Sequence, residues 1–255
     1  MVVGLDIFKK YFEQYPDNYI IIGGTACDII IGEAGFIPRA TKDIDLVLIA
    51  EALSTEFVQQ FWRFIKDGDY GDQEKSTDQR QFYRFKRPRN TNFPFQIELF
   101  SRTPDVIVLP PDSHLTPIPV DDNLSSLSAI LLNNDYYKYM IEHSQFEDGL
   151  HRANIEALIC LKVIAFLEIK ERIDHGSKED SKQLKKHKAD IFRLAIMLSP
   201  DAEFILPSKI QVNMNQFVEA IRGEIPDRAI FKEMGFANID SNRVYEQLKK
   251  SFKVL

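Results

Sequence analysis

The chain has 255 residues, 44% hydrophobic and 27% charged, with a net charge of −6. That length is ample for a buried core, and the balance excludes a disordered chain. An acidic total also argues against indiscriminate nucleic-acid binding, so any RNA partner must be met by a local basic patch rather than by the whole surface.

Leu5, Ile7, Phe8, Tyr11, Phe12 and Tyr15 form a helical apolar stripe that stops at Pro16. Residues 18–22 read as a short strand ending at Gly23-Gly24, and residues 25–33 as a helix with Thr25 at its N-cap. Residues 43–49 read as a buried strand, because Ile44, Leu46, Val47, Leu48 and Ile49 are long or β-branched apolar residues. A helix over 54–66 follows, then strands at 81–86 and 95–102, with further short strands at 105–109 and 116–120. Beyond residue 122 the pattern turns helical, with helices expected at 124–143, 154–172, 183–198, 214–221 and 241–252. The expected architecture is α/β (α+β): a mixed-sheet domain over 1–122 and an all-helical half over 123–255.

Cys27 and Cys160 lie in apolar segments, which fits buried thiols in a reducing compartment rather than a disulfide framework. The N-terminus has no cationic start leading into an apolar run, and apolar stretches are broken by Lys162 and Glu168 before a bilayer-spanning length of about 20 residues. The chain is expected to be soluble and cytoplasmic, with no membrane partner. The histidines are scattered without zinc-ligand spacing, no GxSxG or Cys–His arrangement offers a covalent nucleophile, and no GxxxxGK[ST] phosphate loop occurs.

The informative stretch is Gly23-Gly24-Thr25-Ala26 followed by Arg39-Ala40-Thr41-Lys42-Asp43-Ile44-Asp45. Residues two apart on a strand project from one face, so Asp43 and Asp45 point together while Ile44 turns into the core. Paired carboxylates repel unless a cation lies between them, and magnesium takes one or two carboxylates together with substrate phosphates. Glu98, alternating with Ile97 and Leu99, is the expected third acid on a neighbouring strand, which would complete a two-metal site. Gly23 and Gly24 end a strand and open a helix, where backbone N–H groups can approach phosphate, and Thr25 can add a hydroxyl. Arg39 and Lys42, beside the aspartates, can screen them or bind phosphate. Alone, a Gly-Gly is a tight turn and an Asp-x-Asp a solvated edge; the ordered set is far rarer than either.

This combination resembles the nucleotidyltransferase superfamily, and the wording around residues 23–45 is similar to its AbiEii/AbiGii branch of abortive-infection and toxin–antitoxin toxins. Ala157-Leu158-Ile159-Cys160-Leu161-Lys162 resembles the helix in which that branch carries a lysine. Lys186-His187-Lys188-Ala189-Asp190-Ile191 resembles its K-D-x-x-D-[LI] segment, with His187 standing where the family usually has an aspartate. The resemblance spans roughly residues 18–198. It implies a nucleoside triphosphate donor, magnesium, in some relatives an RNA acceptor such as tRNA, an antitoxin protein as partner, and a helical half that closes over the nucleotide.

Lys162 interrupts an apolar helix, so its ammonium must snorkel out, find a carboxylate or face a polar cleft. With the resemblance, it is expected to contact the triphosphate, and Asp190 to orient Lys162 or a neighbouring lysine. Lys182, Lys185, Lys186 and Lys188 form a cationic cluster, most of it a solvated face, with Lys186 expected at phosphate and the cluster able to receive RNA. Tyr136, Tyr137 and Tyr139 read as helix packing. Two other readings stay open: a non-catalytic module that keeps the fold for binding a nucleotide or a partner protein, and nucleotide transfer to a small molecule such as an aminoglycoside.

Overall fold

The structure is a computed structural model and describes residues 2–75, 82–103, 115–117, 128–176, 181–236 and 238–254. The chain forms two compact units. One comprises Met1–Asp28 and Ala40–Ala153, the other Ile29–Arg39 and Asn154–Leu255. The boundary expected at residue 122 falls outside the described residues.

The first unit opens with α1 (Leu5–Phe12), whose apolar stripe buries Leu5, Phe8 and Phe12. A short 3-10 turn over Pro16–Asn18 then leads into β1 (Tyr19–Ile22), which is buried along its whole length. Next come α2 (Gly23–Glu33) and β2 (Asp43–Leu48). Helix α3 (Thr55–Gly68) is capped by Ser54, whose side chain accepts from the Phe57 N–H. Strands β3 (Tyr70–Lys75), β4 (Phe82–Pro88), β5 (Gln96–Ser101), β6 (Leu115–Pro117) and β7 (Ser128–Leu131) follow. Helix α4 (Asn134–Glu142) and the hairpin β8 (Ser144–Glu147) and β9 (Leu150–Ala153) complete the unit.

All nine described strands join one mixed sheet in the order β3-β4-β5-β2-β1-β9-β8, with β7 pairing both β5 and β6. Strand β2 runs antiparallel to β1 and parallel to β5, and β5 runs antiparallel to β4. Alternation along β2 and β5 buries Ile44, Leu46, Ile97 and Leu99 completely. The aromatic core beside them joins Phe8 and Phe12 of α1 to Tyr19, and Phe12 to Phe57, Phe61 and Phe64 of α3. Phe61 in turn meets Phe85 of β4 edge-on at 5.6 Å.

The second unit is helical: α5 (Ile155–Asp174), α6 (Ser181–Ala195), α7 (Ser208–Ile221), α8 (Ala229–Lys232) and α9 (Ser241–Ser251). Phe166 of α5 meets Phe217 of α7 edge-on at 5.1 Å, and Ile191, Phe192, Leu194, Met214 and Leu248 are fully buried. The architecture is thus mixed α/β followed by helices, as expected. No helix among the described residues is long and apolar enough to cross a membrane.

Several local expectations are corrected. Helix α2 starts at Gly23 rather than after Thr25, because Gly23 adopts φ +69° and lets the chain turn directly from β1 into the helix. The helix expected over 124–143 is replaced, in its described part, by β7 and then α4. Residues Phe100 and Ser101 pair in parallel with Ile130 and Leu131, and the helix begins only once Asn133 caps it by accepting from the Asp135 N–H at 3.0 Å. Strands β3, β8 and β9 and the one-turn helix α8 were not expected. The strand candidate at 105–109 lies outside the described residues.

Candidate active site

In the first unit, the exposure pattern of β2 places Asp43 and Asp45 half-exposed on one face, with Ile44 fully buried behind them. Ile22, the last residue of β1, stands opposite Asp45 in the antiparallel ladder. The chain therefore leaves β1 at Gly23 beside the Asp45 side chain. A Cβ built on Gly23 would overlap Oδ2 of Asp45 and stand 2.9 Å from its Cγ. Only glycine accommodates both that approach and the positive φ. The consequence is that the first turn of α2, where the helix dipole presents its positive end, adjoins a carboxylate.

The two glycines are half-exposed, whereas Thr25 is fully buried. Its hydroxyl donates to the carbonyl of Asp43 and ties the helix start to the aspartate strand. Thr25 thus acts on the site through the backbone of β2. Asp28, 8% exposed, accepts from the Thr41 N–H at 2.8 Å and anchors the residues just before Asp43. Lys42 is exposed, and its carbonyl accepts from the Phe95 N–H at 3.0 Å, joining the start of β2 to the approach to β5.

The parallel ladder between β2 and β5 sets Asp45 directly beside Glu98 and Asp43 beside Gln96. The antiparallel ladder between β5 and β4 continues those rows to Arg84 and Lys86. Glu98 therefore neighbours Asp45 on one side and Arg84 on the other. Arg84 Nε donates to Glu98 Oε1 at 2.5 Å, and its Nη2 pairs with the same oxygen. Among the described residues, no group of three or more His, Cys, Asp or Glu could hold a metal ion. The donor set that fits magnesium is Asp43 with Asp45: two carboxylates on one face, half open, beside a corner that only a glycine can form. Magnesium takes just such a pair when substrate phosphates and water fill its other positions.

The second unit contains a charged cluster of its own residues. Lys162 of α5, 6% exposed, donates to Asp190 of α6 at 2.8 Å. Arg39 approaches the same carboxylate at 3.5 Å and Arg193 at 3.4 Å, while Arg193 also donates to Glu233 at 2.5 Å. Of the ways open to a lysine in an apolar helix, Lys162 has taken the carboxylate. Burial works against a charged Asp190, but Lys162, Arg39 and Arg193 outweigh it and hold its carboxyl below the usual carboxylate range. Arg39 keeps a side chain 34% exposed, against 7% for Lys162 and 4% for Asp190.

His187 lies in this field. Burial first, then Lys162, Lys186 and Arg39, push its imidazole down to about 4 against an upward pull from Asp190, so it is neutral at pH 7. Its Nδ1 is buried without a hydrogen-bond partner among the described residues. Lys182, Lys185 and Lys186 are exposed on α6, and Lys188 donates to the carbonyl of Glu224 at 2.8 Å.

Sequence reasoning missed Arg84, Arg193 and Asp28. Arg84 carried a usable signal, since it shares a face with Lys86 and alternates with the apolar Phe85 on a strand already expected over 81–86. Arg193 and Asp28 carried none, because their partners depend on tertiary packing.

No protein-family model matches the sequence, and no curated protein matches it. Among solved structures, the chain is similar to a polyadenylate synthase from Megavirus, with a TM-score of 0.38 and 10% identity over 86% of this chain and 36% of that one. It thus spans about a third of that protein's length. It is also similar to a nucleotidyltransferase candidate from H. pylori, with a TM-score of 0.33 and 14% identity over 96% of this chain and 88% of that one.

Proposed function

We propose that the chain is a magnesium-dependent nucleotidyltransferase that moves a nucleotide from a nucleoside triphosphate to an acceptor hydroxyl. One observation carries the reading: Asp43 and Asp45 emerge together from one face of β2, against the glycine corner that opens α2. Asp43 and Asp45 would hold the magnesium. An ion bound there would supply Lewis-acid polarisation of the α-phosphate and of the acceptor hydroxyl. The half-exposed glycines let backbone N–H groups at the start of α2 approach the phosphates. Thr25, through the Asp43 carbonyl, and Asp28, through the Thr41 N–H, hold the aspartate strand in place. In the reaction the acceptor oxygen bonds to the α-phosphorus, the bond from that phosphorus to the bridging oxygen breaks, and pyrophosphate leaves with the electron pair.

In the second unit Asp190 positions Lys162, and Arg39, whose side chain is 34% exposed, approaches the same carboxylate. An RNA acceptor, a toxin role and an antitoxin partner rest on the AbiEii-like wording of residues 23–45 and 186–191. A second reading, a fold retained only for binding, is favoured by the Arg84 contact that engages Glu98.

The deciding experiment incubates the protein with α-labelled nucleoside triphosphates, magnesium and total RNA, beside the Asp43→Asn and Asp45→Asn variants. Label transfer that falls at least about a hundredfold in either variant supports the enzyme. Equal transfer by the variants, or none by the native chain while it still binds nucleotide without magnesium, favours the binding module.

A further inference from the structure

The row Asp45–Glu98–Arg84 runs across three adjacent strands. Ile44, Ile97 and Phe85, the alternating residues next to these, are all fully buried, so the three charged side chains share the opposite face. Neighbouring strands lie about 4.8 Å apart, and two carboxylates at that spacing repel unless a cation relieves them. In a two-metal centre that cation is a second ion. Here a guanidinium stands beside Glu98, reached through two of its nitrogens. The Glu98 side chain is 12% exposed and that of Arg84 28%, so the pair is held mostly out of water. In the next row, the position between Asp43 and Lys86 is the neutral Gln96.

We propose that Arg84 takes the place of a second metal ion: the centre binds one divalent cation on Asp43 and Asp45, and Glu98 positions the Arg84 guanidinium instead of ligating metal. This rests on the nucleotidyltransferase reading of the same site. A guanidinium is always charged, so the positive charge on this side of the centre does not depend on metal concentration. Its planar fork also holds its direction when paired with a carboxylate, which aims it at charge developing on the transferred phosphate. Glu98 acts through Arg84, and Arg84 is the residue that would touch substrate.

The test is a Mn2+ titration of the whole chain without nucleotide, read by calorimetry and by the electron paramagnetic resonance of free Mn2+. The native protein is expected to bind one ion, and Asp45→Asn to lose it. Glu98→Gln is expected to bind that ion within about threefold of the native affinity, since the amide removes no ligand. Arg84→Gln removes the guanidinium beside Glu98 and is expected to bind Mn2+ about tenfold more tightly or to take up a second ion. Arg84→Lys keeps the charge and is expected to behave as native, which also decides the matter if Arg84→Gln does not fold. Loss of the native ion in Glu98→Gln, two ions in the native protein, or a native-like titration of folded Arg84→Gln would overturn the proposal while leaving the aspartate site standing. No Mn2+ bound by the native protein overturns this proposal, whereas the nucleotidyltransferase reading stands or falls by label transfer from the nucleoside triphosphates.

Discussion

Gly23 lies against the carboxylate of Asp45, with room for a hydrogen but not for a methyl group. The contact couples the conformation of the corner to the direction of a ligand. Gly23→Ala is therefore expected to strain the backbone at φ +69° and to displace the Asp45 side chain. Stability should fall by about 1–2 kcal/mol, as for a non-glycine residue forced into the left-handed region. Mn2+ affinity should fall with it, whereas Gly35→Ala, at φ +81° with open space around its Cβ, should cost stability alone. Urea unfolding and Mn2+ titration of both variants separate the two effects.

The Lys162–Asp190 pair is expected to behave asymmetrically. Asp190→Asn removes the carboxylate charge that Lys162 and Arg193 share, both less than a tenth exposed, and should destabilise the chain by about 3 kcal/mol. Lys162→Met leaves Asp190 with Arg39 and Arg193, and fills the apolar surroundings, so its cost should be about 1 kcal/mol or less. Chemical denaturation of the two single variants and the double variant measures the difference. Equal costs would show that Asp190 is not the hub of the cluster.

Stability should also decline in mild acid, and His187 sets the window. Its folded value near 4 lies below the ordinary imidazole value of 6.5, so between these the unfolded chain binds a proton that the folded chain refuses. The contribution is complete above pH 6.5 and is lost as the pH falls towards 4. Asp190, also depressed, adds a loss in the same direction below the usual carboxylate range. Between pH 7 and pH 5 the native chain is expected to lose up to about 2 kcal/mol that His187→Gln does not lose. Urea midpoints at the two pH values give the comparison.

Tyr137 offers a stability test away from both clusters. Its hydroxyl accepts from the Ala50 N–H at 2.8 Å and donates to Glu51 at 2.5 Å, just beyond the end of β2. Arg102 holds the other oxygen of Glu51 at 2.6 Å. Tyr137→Phe is expected to cost about 1–2 kcal/mol by leaving the Ala50 N–H without its partner. Mn2+ binding should be unchanged, because Asp43 and Asp45 lie at the other end of the strand.

Much of this arrangement was legible from period and residue type. The alternation around Ile44 placed both aspartates on one face, and Ile97 and Leu99 did the same for Glu98. Lys162 stood out because an ammonium in an apolar helix demands a partner, and the partner is the acid already singled out at 190. What escaped reading depended on context. Strand β3 (Tyr70–Lys75) is polar and has no apolar alternation to betray it. The β8–β9 hairpin did carry a local sign, since Asp148 and Gly149 both adopt positive φ, as Asp-Gly does in two-residue hairpin turns. Leu131 and Leu132 looked helical because short apolar runs do not reveal their period. Alternation could place Arg84 on a strand face, but its place beside Glu98 follows from the registers of two ladders.

The segment Ile29–Arg39 is assigned with the helices although the residues before and after it build the sheet. Its partners lie far along the chain: Phe36 meets Phe236, the Ile37 N–H donates to the carbonyl of Met234, and Arg39 reaches Asp190. The polypeptide therefore crosses from one unit to the other three times. Dividing the gene after Ala153 would strand that segment away from Phe236, Met234 and Asp190, and would strip Asp190 of one of its cations. Neither piece of such a division should be obtainable as a well-behaved fragment, and any tag, split reporter or domain exchange has to respect an interleaved chain.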